Sequence, residues 1–288
     1  MSDLQIDLSN IRFAIFEQVF SNIEATLKKF NIDFYVIGAL ARDMQFSTDN
    51  IATRTTADID LAIYINGSEA SYQEIKAYLV NKYSFTESSE NAFTVISEDG
   101  HTIDLLPFGA IEVEDGVSIA GKGLTNIKVN GFKEVFRRGL IKIETTDGTS
   151  FSVASLASIL LLKLIAWDDR PERRVNDPGD VASIIKNYFS LNADTIYEYH
   201  NDLFRDNDGG EDYQLEDVSG QVIGREINKI VGQTPALKAR TISILESLIK
   251  KAELSSFNRS MVGNYCKSID IAVIWLSFML KGINEKKE

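Results

Sequence analysis

Near residue 150 the hydrophobic pattern of this 288-residue chain changes period, and that change limits the fold more than any other feature. Before it, apolar residues come largely as short runs and alternations separated by Gly-containing turns, the pattern of strands. After it they recur at helical spacing. Strands are expected at 33–37, 58–65, 92–96, 101–108, around 110–119, and at 126–129 and 140–143. Helices are expected at 9–30 behind a Ser9 or Asn10 cap, at 39–46 and at 68–82. In the second half they are expected at 156–167, 180–188, 193–204, 222–231, 235–252 and 261–280. The polar stretches 47–57 and 205–213 read as loops. An α/β (α+β) core over 1–150 followed by a helical domain over 151–288 is the organisation this pattern predicts, with no internal repeat.

Within the first half, Asp58 and Asp60 open the apolar run 58–65. Alternate residues of a strand share a face, so both carboxylates project to one side while Ile59 and Leu61 face a core. Spacing alone says little, because 42 acidic residues in 288 produce roughly six such coincidences by chance. Context adds weight: a carboxylate pair beginning an apolar strand repels itself and loses hydration unless something cationic sits beside it. The bland alternative is a strand-edge pair facing solvent. Asp104, between Ile103 and Leu105, completes a three-carboxylate cluster if its strand lies next to that of Asp58 and Asp60; otherwise it is a surface residue capping a turn. Three carboxylates in one place need cations, and two Mg²⁺ ions ~3.5–4 Å apart would both relieve the repulsion and clamp a phosphoryl group.

Twenty residues before Asp58, Gly38 ends the strand-like run Phe34 to Ile37 and starts a helix. Amides at a helix start bind phosphate oxygens, and Gly allows close approach to the backbone. Arg42, one turn into that helix, is placed either to add charge to a phosphate or to pair with Asp43 or a strand carboxylate. Lys163 interrupts an apolar helix, where the default is a side chain snorkelling to the surface and the alternative is a partner for a triphosphate. Arg170, Arg173, Arg174, Asp177 and Asp180 follow it in what reads as a charged interhelical loop and a helix cap. No Walker-type loop is present.

Taken together, these residues resemble the DNA polymerase β-like nucleotidyltransferase superfamily, whose pattern is a Gly-Gly or Gly-Ser turn, a strand bearing Asp-x-Asp and a third Asp on a neighbouring strand. Gly38-Ala39, Asp58-Ile59-Asp60 and Asp104 correspond to these parts. Lys163-Leu164-Ile165-Ala166, the arginines after it and Asp177-Pro178-Gly179-Asp180 look like the later motifs of the AbiEii-type (abortive-infection toxin) members. The resemblance spans roughly residues 35 to 181. It implies a nucleotidyltransferase core with a mixed β-sheet flanked by helices, and metal-dependent transfer of an NMP from an NTP to an acceptor hydroxyl with release of pyrophosphate. In that reading Asp58, Asp60 and Asp104 are catalytic and hold Mg²⁺ or Mn²⁺, with Asp104 as second-metal ligand or as base. Gly38, Ala39, Arg42, Lys163 and Asp177 serve the NTP. An AbiEii-like toxin would have an antitoxin protein as partner. The alternative is a degenerate nucleotide-binding or regulatory relative without turnover: Ala39 stands where the family has Gly or Ser, and Asn176 where the subgroup has Lys.

The opening also resembles tRNA nucleotidyltransferases and poly(A) polymerases, but no downstream base-selecting Arg-Arg-Asp or Glu-Asp-x-x-Arg element follows. Net charge is −12 with a pI near 4.8, which argues against an extended tRNA surface and suits a cationic small-molecule acceptor better than RNA. Only His101 and His200 are present, so a His-rich zinc site is not expected. The apolar stretch 269–280 is too short for a membrane span and reads as a buried helix. A single cysteine, Cys266, and a start without a signal-like apolar segment lead to the expectation of a cytoplasmic protein.

Overall fold

A computed structural model describes residues 4–6, 17–47, 51, 58–145, 150–204 and 214–285. The expected Ser9 or Asn10 cap, the start of the first helix, most of the 47–57 loop and the 205–213 loop lie outside the described residues. The chain divides into two compact units, Met1–Ser155 and Leu156–Glu288.

In the first unit the strands are β1 (Leu4–Ile6), β2 (Phe34–Ile37), β3 (Asp58–Ile65), β4 (Thr86–Glu87), β5 (Thr94–Ile96), β6 (Thr102–Gly109), β7 (Gly116–Ser118), β8 (Asn126–Lys128), β9 (Leu140–Thr145) and β10 (Ser150–Ala154). Helices α1 (Glu17–Lys29), α2 (Gly38–Phe46), α3 (Glu69–Tyr83) and α4 (Phe132–Arg138) accompany them. Among the described residues, eight strands form one sheet in the order β1-β9-β10-β2-β3-β6-β5-β4, while β7 and β8 pair separately. The sheet is mixed: β3 runs parallel to β6 and antiparallel to β2, and β5 is antiparallel to β6. The α/β class with a mixed sheet and a helical C-terminal region is therefore observed.

Alternation in sequence explains how the sheet is covered. Ile59, Leu61, Ile63 and Ile65 of β3, with Ile103 and Leu105 of β6, are completely buried. On that side α1 packs Phe20 against Phe34, and α3 packs Tyr72 against Phe93, with the Tyr72 hydroxyl donating to the Leu105 carbonyl at 2.9 Å. The opposite face carries Tyr35, Tyr64 and Phe108, which meet Phe132 and Phe136 of α4 in one aromatic cluster. Such a cluster adds directional ring contacts to the area it buries. Along that same face the rings give way, toward the starts of β3 and β6, to carboxylates.

The second unit is helical: α5 (Leu156–Asp169), α6 (Asp177–Leu191), α7 (Ala193–Tyr199), α8 (Leu215–Val231), α9 (Pro235–Lys251), α10 (Ser256–Met261) and α11 (Ile269–Asn284). The helix expected at 261–280 begins only at Ile269. Helix α10 stops at Met261, Val262 bridges to Cys266, and Ser268 restarts the chain by accepting the Ile271 amide on its hydroxyl. The helix expected at 193–204 gives way after Tyr199 to a 3-10 turn over Asn201–Phe204, where His200 is buried with its Nδ1 3.1 Å from Arg225 Nη1. Arg225 also grips Asp202 through both terminal nitrogens and reaches Glu285 through Nε. Helices α8 and α11 lie backbone to backbone: a Cβ on Gly224 would stand 2.1 Å from the Met279 carbonyl oxygen, a space only glycine leaves open. No helix among the described residues is long and apolar enough to cross a membrane.

Candidate active site

The register across four strands sets the geometry. Ile37 of β2 pairs with Asp60 of β3, Asp60 pairs with Asp104 of β6, and Asp104 pairs with Thr94 of β5. Asp60 and Asp104 are thus direct neighbours on one face, their backbones about 4.8 Å apart as adjacent strands are. Asp58 opposes Thr102, one pleat repeat (about 6.6 Å) toward the start of the strand. Exposure follows the same gradient, Asp58 being exposed and Asp60 and Asp104 half-buried. Among the described residues no three or more His, Cys, Asp or Glu side chains are already gathered as a metal cage; the close pair is Asp60 with Asp104.

Gly38 lies against this pair. It has a φ of +71°, the left-handed conformation that glycine adopts without strain, and it opens α2 directly after β2. A Cβ at Gly38 would fall 2.1 Å from Asp60 Oδ2. What closes on Gly38 is therefore Asp60's own carboxylate, held at the amino end of a nine-residue helix, where the backbone dipoles favour negative charge. Ala39 follows, half-buried, in the first turn.

Arg42 is buried and faces its neighbour: Nε donates to Asp43 Oδ1 at 2.8 Å, Nη2 reaches the same oxygen at 2.7 Å, and the guanidinium lies 5.9 Å from the Phe46 ring centre. Pairing with Asp43, one of the alternatives its sequence position left open, is seen. In the helical unit, Lys163 does not snorkel. Its ammonium donates to Asp177 Oδ1 and to Asp180 Oδ2, both at 2.7 Å, and all three side chains are nearly buried. Asp177 and Asp180 stand in the first turn of α6 with Pro178 between them, where acidic residues and proline both suit the exposed amides.

Thr94 was not singled out by sequence. Its Oγ1 donates to Asp104 Oδ1, and the side chain is 4% exposed. The available signal was its position between Phe93 and Val95, which turns it to the polar face; which carboxylate it meets depends on register. Asp104 also acts on α3, since burial chiefly, and then the Asp104 charge, push the Tyr72 phenol well above its ordinary pKa.

The structure thus defines an α/β protein with a carboxylate pair on a mixed sheet, packed against a glycine-initiated helix, and a separate helical unit. No family model and no curated protein matches the chain. Among solved structures it is similar to the antibiotic-resistance factor ANT(2'')-Ia in solution, at 13% identity and a TM-score of 0.36 over 66% of this chain and 95% of that one. It is also similar to ANT(2'')-Ia in complex with adenylyl-2''-tobramycin, at 16% identity and a TM-score of 0.36 over 66% of this chain and 96% of that one.

Proposed function

We propose that this chain is a metal-dependent nucleotidyltransferase that moves an NMP from an NTP to an acceptor hydroxyl with release of pyrophosphate. The observation that supports it most is the register pairing of Asp60 with Asp104 on adjacent parallel strands, beside the amino end of α2. Carboxylate oxygens on neighbouring strands are the donor set a hard divalent cation takes. Asp58, Asp60 and Asp104 would hold Mg²⁺ or Mn²⁺, which when bound would draw charge from the transferring phosphoryl group. Around it, Asp104 would orient the acceptor hydroxyl or accept its proton, and the Gly38 and Ala39 amides would bind phosphate oxygens. Arg42, which pairs with Asp43, would stand one turn into α2 to add charge beside the phosphates. For Lys163 and Asp177 a role toward nucleotide is supported by the resemblance of their motif alone; within the helical unit the Lys163 ammonium is held by Asp177 and Asp180.

At a finer level, Lys163-Leu164-Ile165-Ala166 and Asp177-Pro178-Gly179-Asp180 favour an AbiEii-like toxin with an antitoxin partner. The acidic charge favours a cationic small molecule over tRNA as acceptor. Ala39, which has no hydroxyl to offer a phosphate, favours a second reading: a nucleotide-binding relative without turnover.

Incubation with each α-labelled NTP, Mg²⁺ or Mn²⁺, and separated RNA, protein and small-molecule fractions tests the proposal. Label in one fraction, lost with Asp60→Asn, identifies both activity and acceptor. Calorimetric NTP binding without label supports the second reading. No label, together with no NTP or Mg²⁺ binding in calorimetry, overturns both.

A further inference from the structure

We infer that Thr94 is a positioning residue for Asp104, holding one carboxylate oxygen so that the group meets a divalent cation in a single orientation. This rests on the metal-dependent reading above. Three features on β5 carry it. Register sets Thr94 directly opposite Asp104, and its hydroxyl donates to Oδ1. The side chain is almost wholly buried, so water competes little for that hydrogen bond. The Thr94 backbone is itself anchored: its amide donates to the Asn91 carbonyl at 3.0 Å, and its carbonyl accepts from the Ser88 amide at 3.1 Å. A β-branched side chain on a strand has restricted χ1 freedom, so the hydroxyl is aimed before any ligand arrives. Removing a hydrogen-bond partner that orients a ligating group typically costs roughly 10–100-fold in metal affinity. On the other side of the pair, the Asp60 carboxylate lies against Gly38. Thr94 thus holds Asp104 at one edge of the row, while at the other the missing side chain of Gly38 leaves room for the Asp60 carboxylate.

Thr94→Val keeps the branched shape and removes the donor, whereas Thr94→Ser keeps the donor. Mn²⁺ alone is the probe, its binding read by water-proton relaxation, with Asp104→Asn as reference and circular dichroism confirming that each variant folds. Expected is a roughly 10–100-fold loss of Mn²⁺ affinity in Thr94→Val, the range for removing a partner of a ligand, with Thr94→Ser within about threefold of wild type. The same variants should order NMP-transfer kcat in the same way. Wild-type affinity in folded Thr94→Val overturns the role of Thr94 and leaves the metal reading intact. Wild-type protein that binds Mn²⁺ no better than Asp104→Asn overturns the metal reading and this role with it. Thr94→Val that fails to fold moves the decision to Thr94→Ser and Thr94→Ala, where loss in Ala without loss in Ser supports the role and equal affinity overturns it.

Discussion

Gly38 and Asp60 occupy each other's space: the position of a Gly38 Cβ is 2.1 Å from Asp60 Oδ2, so the absence of a side chain at 38 is what lets the carboxylate sit against the start of α2. Gly38→Ala is expected to destabilise the protein by about 1–3 kcal/mol, from the left-handed φ and from displacement of Asp60. A double-mutant cycle with Asp60→Ala separates the two causes, because the clash disappears when Asp60 is truncated. Denaturant unfolding should then show the paired change costing less than the sum of the single ones; additivity within about 0.5 kcal/mol would mean that the contact carries no energy.

Asp60→Asn and Asp104→Asn keep the volume of a carboxylate while removing its charge. If the pair serves phosphoryl transfer, each is expected to lower turnover by roughly 10²–10³-fold, the scale for losing one group that stabilises developing charge. A large loss of stability with activity preserved would reverse the assignment.

Lys163 answers two buried carboxylates, so Lys163→Met leaves Asp177 and Asp180 without their cation. A loss of about 3–5 kcal/mol in chemical denaturation is the expected result. Adding Asp177→Asn and Asp180→Asn to Lys163→Met should recover part of it, since no unbalanced charge remains. Should the triple variant be no more stable than Lys163→Met, packing and not charge would explain the loss.

His200 gives the helical unit a sensitivity to acid. Burial first, and then the Arg225 guanidinium, hold its imidazole below the ordinary value of 6.5. Between that lowered pKa and 6.5 the unfolded chain binds a proton that the folded chain refuses. Stability is therefore complete above about pH 6.5 and falls as pH drops through this window. Asp202, also held low by its hydrogen bond to Arg225, extends the loss further into acid, below its ordinary value of 3.8. His200→Gln should flatten the dependence that sets in below pH 6.5 while leaving the limb below 3.8, as unfolding measured across pH would show. An unchanged slope would remove His200 as its cause.

Residues 58–65 and 102–109 show what local pattern can and cannot specify. Their alternation of polar and apolar residues identified strands, turned Asp58, Asp60 and Asp104 away from Ile59, Leu61, Ile103 and Leu105, and with Gly38 located a strand-to-helix turn. Together with the change of period near residue 150, it made the α/β class with a helical C-terminal region legible, because side-chain direction and helix periodicity depend only on a few consecutive residues. Tertiary structure decided who meets whom. It paired Asp60 with Asp104, Asp104 with Thr94, the Asp60 carboxylate with Gly38, and Lys163 with Asp177 and Asp180; it also moved the start of the helix expected at 261–280 to Ile269. Strand register and helix contacts are set by burial summed over segments distant in sequence, and a slip of one residue in β3, β5 or β6 would turn that strand's side chains to the other face. That sum appears only in the folded chain, where the backbone of Gly38 and the carboxylate of Asp60 come to share one space.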